Sequence, residues 1–92
     1  MTLTIRIPLT PTTTTYQVPE WTKYIAMDKN GRWYAYACKP IKLEKVNSWL
    51  GLGSNKEGVK KIEMSEETIA ATQALLKWGE SMYSVEELLC QP

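Results

Sequence analysis

Hydrophobic positions are concentrated in residues 24–38, where two aromatic and apolar runs flank the polar segment Asp28-Lys29-Asn30-Gly31. Asn-Gly takes positive φ readily, so the segment predicts a β-hairpin that reverses at this pair. Side chains of a strand point alternately to two faces. In the second strand these faces carry Trp33, Ala35 and Ala37, and Arg32, Tyr34, Tyr36 and Cys38. One face must cover the core, whereas the other is either covered by the N-terminal segment or left as an exposed aromatic platform.

The N-terminal segment alternates hydrophobic and polar positions. Residues 3–9 alternate apolar and polar side chains, and Pro8 limits them to an edge strand or an arm. A threonine-rich connector follows at residues 10–15. We therefore expect residues 1–18 to form an extended N-terminal arm with its connector, and residues 19–92 to form a single α+β domain.

Two further strands are predicted after the hairpin. Residues 41–46 alternate and predict a third strand, onto which Trp49 and Leu50 would pack, and residues 59–64 predict a short fourth strand. The glycine-rich segment between them contains Gly-x-Gly and is followed by two lysines. Its spacing matches neither a P-loop nor a dinucleotide-binding fingerprint, so it predicts a simple loop.

The C-terminal third has helical periodicity. Ser65 is a favourable N-cap followed by two glutamates, so the main helix is predicted to begin there and to run to Gly79 or Met82. A second, short helix is predicted after Ser84. The stripe that would lie on the sheet consists of Ile69, Thr72, Leu76 and Tyr83. The predicted fold class is α+β, a small antiparallel sheet of three to four strands packed by one main C-terminal helix.

Charge is distributed unevenly, although the net charge of the 92 residues is only +1. Residues 23–61 carry nine basic and three acidic side chains, a net charge of +6. Residues 62–92 carry one basic and six acidic side chains, a net charge of −5. We therefore expect a dipolar molecule with a basic sheet and an acidic helical end.

The composition restricts the available chemistry. The sequence has no histidine, which removes the usual proton shuttle and excludes serine–histidine and cysteine–histidine nucleophile pairs within one chain. Cys38 and Cys90 lack the spacing of a zinc motif and are expected to be free thiols in a reducing cytosol. No apolar run has the length of a membrane span. We expect a cytoplasmic, non-enzymatic protein with no cofactor, metal or membrane contact.

The aromatic hairpin supports two binding hypotheses. Tyrosines and cations on one strand face could combine base stacking with attraction to nucleic-acid phosphates. The residues concerned are Arg32, Tyr34 and Tyr36, with Lys23, Lys39 and Lys42 nearby. Tyr, Trp and Arg also dominate the energetics of protein interfaces. For a protein partner the candidate contact residues are Arg32, Tyr34 and Tyr36, with Lys39 at the rim.

The N-terminal arm gives a third possibility. An apolar strand on a loosely tied terminus can exchange with a neighbouring copy of the chain, because its unpaired edge is a template for strand pairing. The protein would then be a structural subunit that forms a homodimer through its arm.

Residues 19–49 resemble short uncharacterised proteins of bacteriophages and prophages. The shared pattern is P-x-W, A-x-D-x-x-G-x-W-x-x-Y-x-x-K-P and a later W, and it runs here from Pro19 to Trp49. The resemblance implies an accessory product of a mobile element that acts in the host cytoplasm. It also implies stoichiometric binding that inhibits or modulates a host protein, as an anti-defence factor does.

Overall fold

The computed structural model describes residues 2–8, 14–51 and 58–89. Its strands are β1 (Thr2–Ile5), β2 (Tyr16–Pro19), β3 (Tyr24–Met27), β4 (Trp33–Tyr36), β5 (Ile41–Leu43), β6 (Ser48–Leu50), β7 (Val59–Lys61) and β8 (Tyr83–Ser84). Its helices are α1 (Glu66–Leu75) and α2 (Val85–Leu88), with short 3₁₀ turns at Glu44–Val46 and Trp78–Glu80. This arrangement confirms the predicted α+β class. The predicted glycine loop and threonine-rich connector lie largely outside the described residues.

A four-stranded antiparallel sheet with the order β7-β4-β3-β8 forms the centre of the fold. The predicted hairpin is confirmed as β3 and β4, in which Ile25 lies opposite Ala35 and Met27 lies opposite Trp33. The predicted fourth strand is confirmed in part, because β7 pairs with β4 over three residues and ends at Lys61. Strand β8 adds the other edge by pairing with the first half of β3.

The turn between β3 and β4 differs from a two-residue Asn-Gly turn. Gly31 has a φ of 86°, whereas Asn30 is not among the positive-φ residues of the described chain. Instead the Asn30 side chain accepts a hydrogen bond from the Arg32 N–H at 2.9 Å. The Gly31 N–H donates to the Asp28 carbonyl, and the Asp28 N–H donates to the Arg32 carbonyl, both at 2.9 Å. The loop is thus a turn closed by one left-handed glycine, a common alternative for hairpins.

Helix α1 packs against this turn and against the face of the sheet that carries Trp33. Ser65 caps it as predicted, since its side chain accepts from the Thr68 N–H at 3.2 Å. The Trp33 indole N–H donates to the Thr72 hydroxyl at 3.3 Å, and Thr72 is the residue of α1 that is fully buried. The helix ends at Leu75, earlier than predicted, because Leu76 adopts an extended conformation that leads the chain back toward β3.

Ser81 fixes the segment after the helix to the edge of β3. Its buried hydroxyl accepts from the Met27 N–H at 2.8 Å and lies 2.9 Å from the Met27 carbonyl, to which it can donate. The Ser81 side chain therefore makes the hydrogen bonds to Met27 that a strand backbone would make if β8 extended further along β3. Because Ser81 must reach β3 to satisfy the backbone groups of Met27, the chain leaves the helical path before Gly79.

The N-terminal arm packs on the same face as the helix. Strands β1 and β2 pair as an antiparallel hairpin, and the Arg6 N–H donates to the Leu88 carbonyl at 3.1 Å. The core cluster joins the arm to the central sheet and to α2 through Ile5, Ile7, Tyr16, Val18, Ile25, Met27, Trp33, Ala35, Ile62 and Val85. Within this chain the arm folds onto its own sheet, and arm exchange between two copies stays a prediction.

The prediction of one strand over residues 41–46 is confirmed only for Ile41–Leu43, and residues 44–46 form a 3₁₀ turn instead. Strand β5 ends at Leu43, and the chain reverses at Asn47, which has a φ of 56°, before β6 returns alongside β5. The two strands form a separate two-stranded sheet, hereafter the second hairpin. Asparagine is one of the few residues that adopt this left-handed conformation readily, which explains the position of the reversal.

We predict that Gly31→Ala lowers the free energy of unfolding by at least about 2 kcal/mol. A Cβ at Gly31 would lie 2.8 Å from Ile69 Cγ2 and 3.0 Å from the Ile69 carbonyl, in addition to the strain of a positive φ. Gly58→Ala is the matched control, because the nearest atom to its added Cβ would be the Ala37 Cβ at 3.4 Å. Urea denaturation should show a change within about 1 kcal/mol for the control. Equal losses in both variants would contradict the close packing of turn and helix.

Candidate functional site

The four predicted contact residues differ in their exposure to solvent. Arg32 and Lys39 are exposed, and Tyr34 is half-buried. Tyr36 is only 2% exposed, so it belongs to the interior of the protein. The sequence sorted Trp33 and Tyr36 to opposite faces of β4 correctly, but the second face is not an open platform. Tyr36 therefore cannot serve as a surface contact, and the predicted set is reduced to Arg32, Tyr34 and Lys39.

The second hairpin covers Tyr36. The Tyr36 hydroxyl donates to the Trp49 carbonyl at 3.4 Å, and a Cβ added at Gly51 would lie 3.0 Å from the Tyr36 ring. Burial raises the pKa of the Tyr36 hydroxyl, and the nearby charges of Asp28 and Tyr34 raise it further. The hydroxyl is consequently neutral and remains a hydrogen-bond donor throughout the physiological range.

Two contacts join the second hairpin to the first turn. The Asp28 carboxylate accepts a hydrogen bond from the Trp49 N–H at 3.0 Å, and the Lys29 N–H donates to the Asn47 carbonyl at 3.1 Å. Burial raises the pKa of Asp28, and the hydrogen bond from Trp49 opposes this shift only in part. The carboxylate is thus a structural acceptor that orients the second hairpin.

The outer face of the second hairpin is apolar and exposed. Ile41 lies opposite Leu50 in the register, and Leu43 follows two residues later on the same face. These side chains are 45%, 49% and 36% exposed, and Val46 in the connecting turn is 62% exposed. We call Ile41, Leu43, Val46 and Leu50 the hairpin patch. The only other large hydrophobic residues exposed in the described parts of the chain are Leu75 and Leu89.

Two exposed lysines adjoin the hairpin patch in the chain, and a third, Lys42, lies on the opposite face of the second hairpin. Lys39 and Lys45 are exposed beside it in the chain, and Lys42 forms an ion pair with Glu44 at 3.5 Å. An exposed apolar cluster with a polar rim is typical of interaction sites rather than of ordinary surface. Sequence reasoning missed the patch because it assigned residues 41–46 to the central sheet. Asn47, with its tendency toward left-handed turns, was the signal that could have indicated a hairpin.

A second, basic and aromatic surface lies on the open part of the central sheet. Tyr34 lies directly opposite Lys61 on β7, so the two side chains are neighbours on one face. Arg32 precedes them at the exposed end of β4. Lys42 was expected near Tyr34, but it packs against Gly79, where its Cδ lies 3.2 Å from the position of an added Cβ. Lys61, which the sequence reasoning did not select, takes its place.

The described residues offer little for metal or redox chemistry. No group of three or more His, Cys, Asp or Glu side chains lies together within residues 2–8, 14–51 and 58–89. Cys38 is an exposed free thiol, and Cys90 lies outside the described residues. None of the helices in that part of the chain combines the length and hydrophobicity needed to cross a bilayer.

Comparisons with known proteins give no match for this chain. No protein-family model matches it, and no curated protein and no solved structure proved similar.

We predict that Asp28 makes stability depend on pH in a way that Asp28→Asn abolishes. Because the pKa of Asp28 is raised in the folded protein, its favourable contribution is present below the unfolded pKa and is lost as pH rises through the folded pKa. Asparagine cannot ionise but can still accept from the Trp49 N–H. The stability of Asp28→Asn relative to wild type should therefore increase from about pH 3 to about pH 7.

Asp28→Ala is the matched comparison, since it removes both the charge and the acceptor. We expect it to be less stable than Asp28→Asn by about 1 kcal/mol at neutral pH, because the Trp49 N–H loses its partner. Denaturant unfolding across the pH range measures both effects. Parallel pH curves for wild type and Asp28→Asn would show that Asp28 does not titrate with a raised pKa.

Proposed function

We propose that this protein is a small non-enzymatic binding protein that recognises a partner protein stoichiometrically through the hairpin patch. The observation that carries the proposal is the concentration of exposed apolar side chains on one ten-residue hairpin. Ile41, Val46 and Leu50 are each at least 45% exposed, and Leu43 is 36% exposed. Exposing these side chains to water is unfavourable, so a partner that buries them gains binding free energy.

The attachment of the second hairpin supports this role. The Trp49 indole N–H donates to the Trp78 carbonyl at 3.1 Å, and the two indole rings meet edge to face with centroids 6.4 Å apart. Together with the bond between Asp28 and Trp49, these contacts orient the hairpin before any partner binds. A surface ordered in advance binds with a smaller entropic cost than one that must be ordered on binding.

The charges around the hairpin patch define the complementary partner. Lys39 and Lys45 are exposed near it in the chain, and Arg32 is exposed in the turn before β4. A partner with an apolar centre and carboxylates at its rim would complement this surface in both shape and charge. Charge at the rim contributes mainly to association rate and selectivity, while the apolar centre supplies most of the affinity.

The resemblance of residues 19–49 to phage and prophage proteins extends the proposal. The partner would be a protein of the host cell, and binding would inhibit or modulate it, as an anti-defence factor does. A non-catalytic protein of 92 residues acts in this way by occupying a surface that its target needs.

We predict that Ile41→Ser combined with Leu50→Ser weakens partner binding at least about tenfold, which corresponds to about 1.4 kcal/mol. Both side chains are exposed, so the fold should be retained. The partner is first captured from lysate with the tagged wild-type chain and identified by mass spectrometry. Calorimetry with the purified partner should then show one-to-one binding for wild type and loss of affinity for the double variant.

Leu75→Ser is the matched control, because Leu75 is 67% exposed on α1 and lies outside the hairpin patch. We expect it to bind the partner with wild-type affinity. Equal weakening by the control, or undiminished binding by the double variant, would contradict recognition through the hairpin patch.

A second candidate function is nucleic-acid binding through the basic and aromatic surface. The specific observation in its favour is the cross-strand pairing of Tyr34 with Lys61, which sets a base-stacking ring beside a cation. Arg32, which directly precedes β4, adds a second cation.

If nucleic acid is the ligand, Lys61→Gln should reduce the dependence of affinity on salt. Each lost phosphate contact lowers the slope of log K against log salt by about 0.7 for a single strand. Fluorescence anisotropy with a labelled single-stranded oligonucleotide measures this slope, and Lys45→Gln on the second hairpin is the control. The absence of saturable binding at low salt would eliminate this candidate.

A further inference from the structure

A groove of about 530 Å³ lies between the second hairpin and the segment that follows α1. Met27, Leu76 and Trp78 give it an apolar lining. The charged residues that line it are Lys29, Lys42, Glu44, Lys77 and Glu80. No residue of the hairpin patch lines the groove, so the two features are distinct parts of the surface.

The walls of the groove are held together by hydrogen bonds on both sides. The Gln73 side chain donates to the Lys29 carbonyl at 2.7 Å and ties α1 to the first turn. The Trp49 indole donates to the Trp78 carbonyl at 3.1 Å and ties the second hairpin to the 3₁₀ turn. The shape of the groove is therefore fixed by the fold, and the groove lies where three separate segments of the chain meet.

The charges in the groove are not balanced. Lys42 and Glu44 neutralise each other in an ion pair of 3.5 Å. Lys29 and Lys77 are exposed and form no ion pair with any carboxylate of the described residues, and Glu80 likewise has no ion-pair partner there. Two unpaired ammonium groups and one unpaired carboxylate thus leave the groove with a net positive charge.

We propose that this groove binds a small organic anion, specifically a carboxylate carried on an apolar chain. The apolar body would lie against Leu76 and Trp78, where it would displace water from apolar surface. The carboxylate would be held by the ammonium groups of Lys29 and Lys77. The volume of the groove is within the range of small-molecule sites in proteins. This binding site does not depend on recognition of a protein partner.

The test uses octanoate and octanol, which share an apolar chain but differ in charge. The full chain labelled with ¹⁵N is titrated with each probe, and backbone amide shifts are recorded by NMR. We expect saturable shifts from octanoate at Met27, Lys29 and residues 76–80, with millimolar affinity, and weaker binding of octanol. Combining Lys29→Gln with Lys77→Gln should weaken octanoate binding about tenfold and leave octanol binding unchanged.

Lys60→Gln combined with Lys61→Gln is the matched control, because it removes the same charge from β7, away from the groove. It should bind octanoate as wild type does. Equal weakening in both double variants, equal affinity for octanoate and octanol, no saturable shift, or shifts confined to the hairpin patch would each overturn the proposal. Ile41→Ser combined with Leu50→Ser should retain octanoate binding, so this outcome is separable from the test of partner recognition.

Discussion

The fold depends on how closely the turn between β3 and β4 approaches helix α1. An added Cβ at Gly31 would lie within 3.1 Å of atoms of both Ile69 and Gln73, so the helix can reach this position only because the residue has no side chain. At this separation the Thr72 hydroxyl meets the Trp33 indole, which buries the largest side chain of the core. A chain of 92 residues has a single core that is only just large enough to stabilise the fold. Packing of α1 on the central sheet therefore depends on this contact.

The same turn also positions the second hairpin. Asp28 and Lys29 bind the backbone of β6 and of the residue before it, so the second hairpin lies over Tyr36 and the opposite face of the sheet. Both faces of the central sheet are thereby at least partly buried by elements attached at one point. Tyr36, on the aromatic face of β4, is therefore buried and contributes to stability. The exposed apolar surface lies instead on the outer side of the second hairpin, which covers that face.

Alternation along the second hairpin divides its side chains between two environments. Lys42 and Trp49 are paired in the register, Lys42 lines the groove, and Trp49 bonds to the 3₁₀ turn beside it. Ile41 and Leu43 point to the other face and form part of the hairpin patch. One short two-stranded sheet thus separates an inner, polar wall from an outer, apolar surface, because neighbouring side chains in a strand face opposite directions.

Features that depend on near neighbours could be predicted from the amino-acid sequence alone: the hairpin around Asn30-Gly31, the sorting of Trp33 and Tyr36 to opposite faces, and the cap at Ser65. The separate sheet of residues 41–50 and the burial of Tyr36 could be recognised only in the folded protein. Those outcomes rest on contacts such as Asp28 with Trp49, which are 21 residues apart. Alternation gives the same pattern for a strand of the central sheet and a strand of a separate hairpin, so the choice between them is made by distant partners.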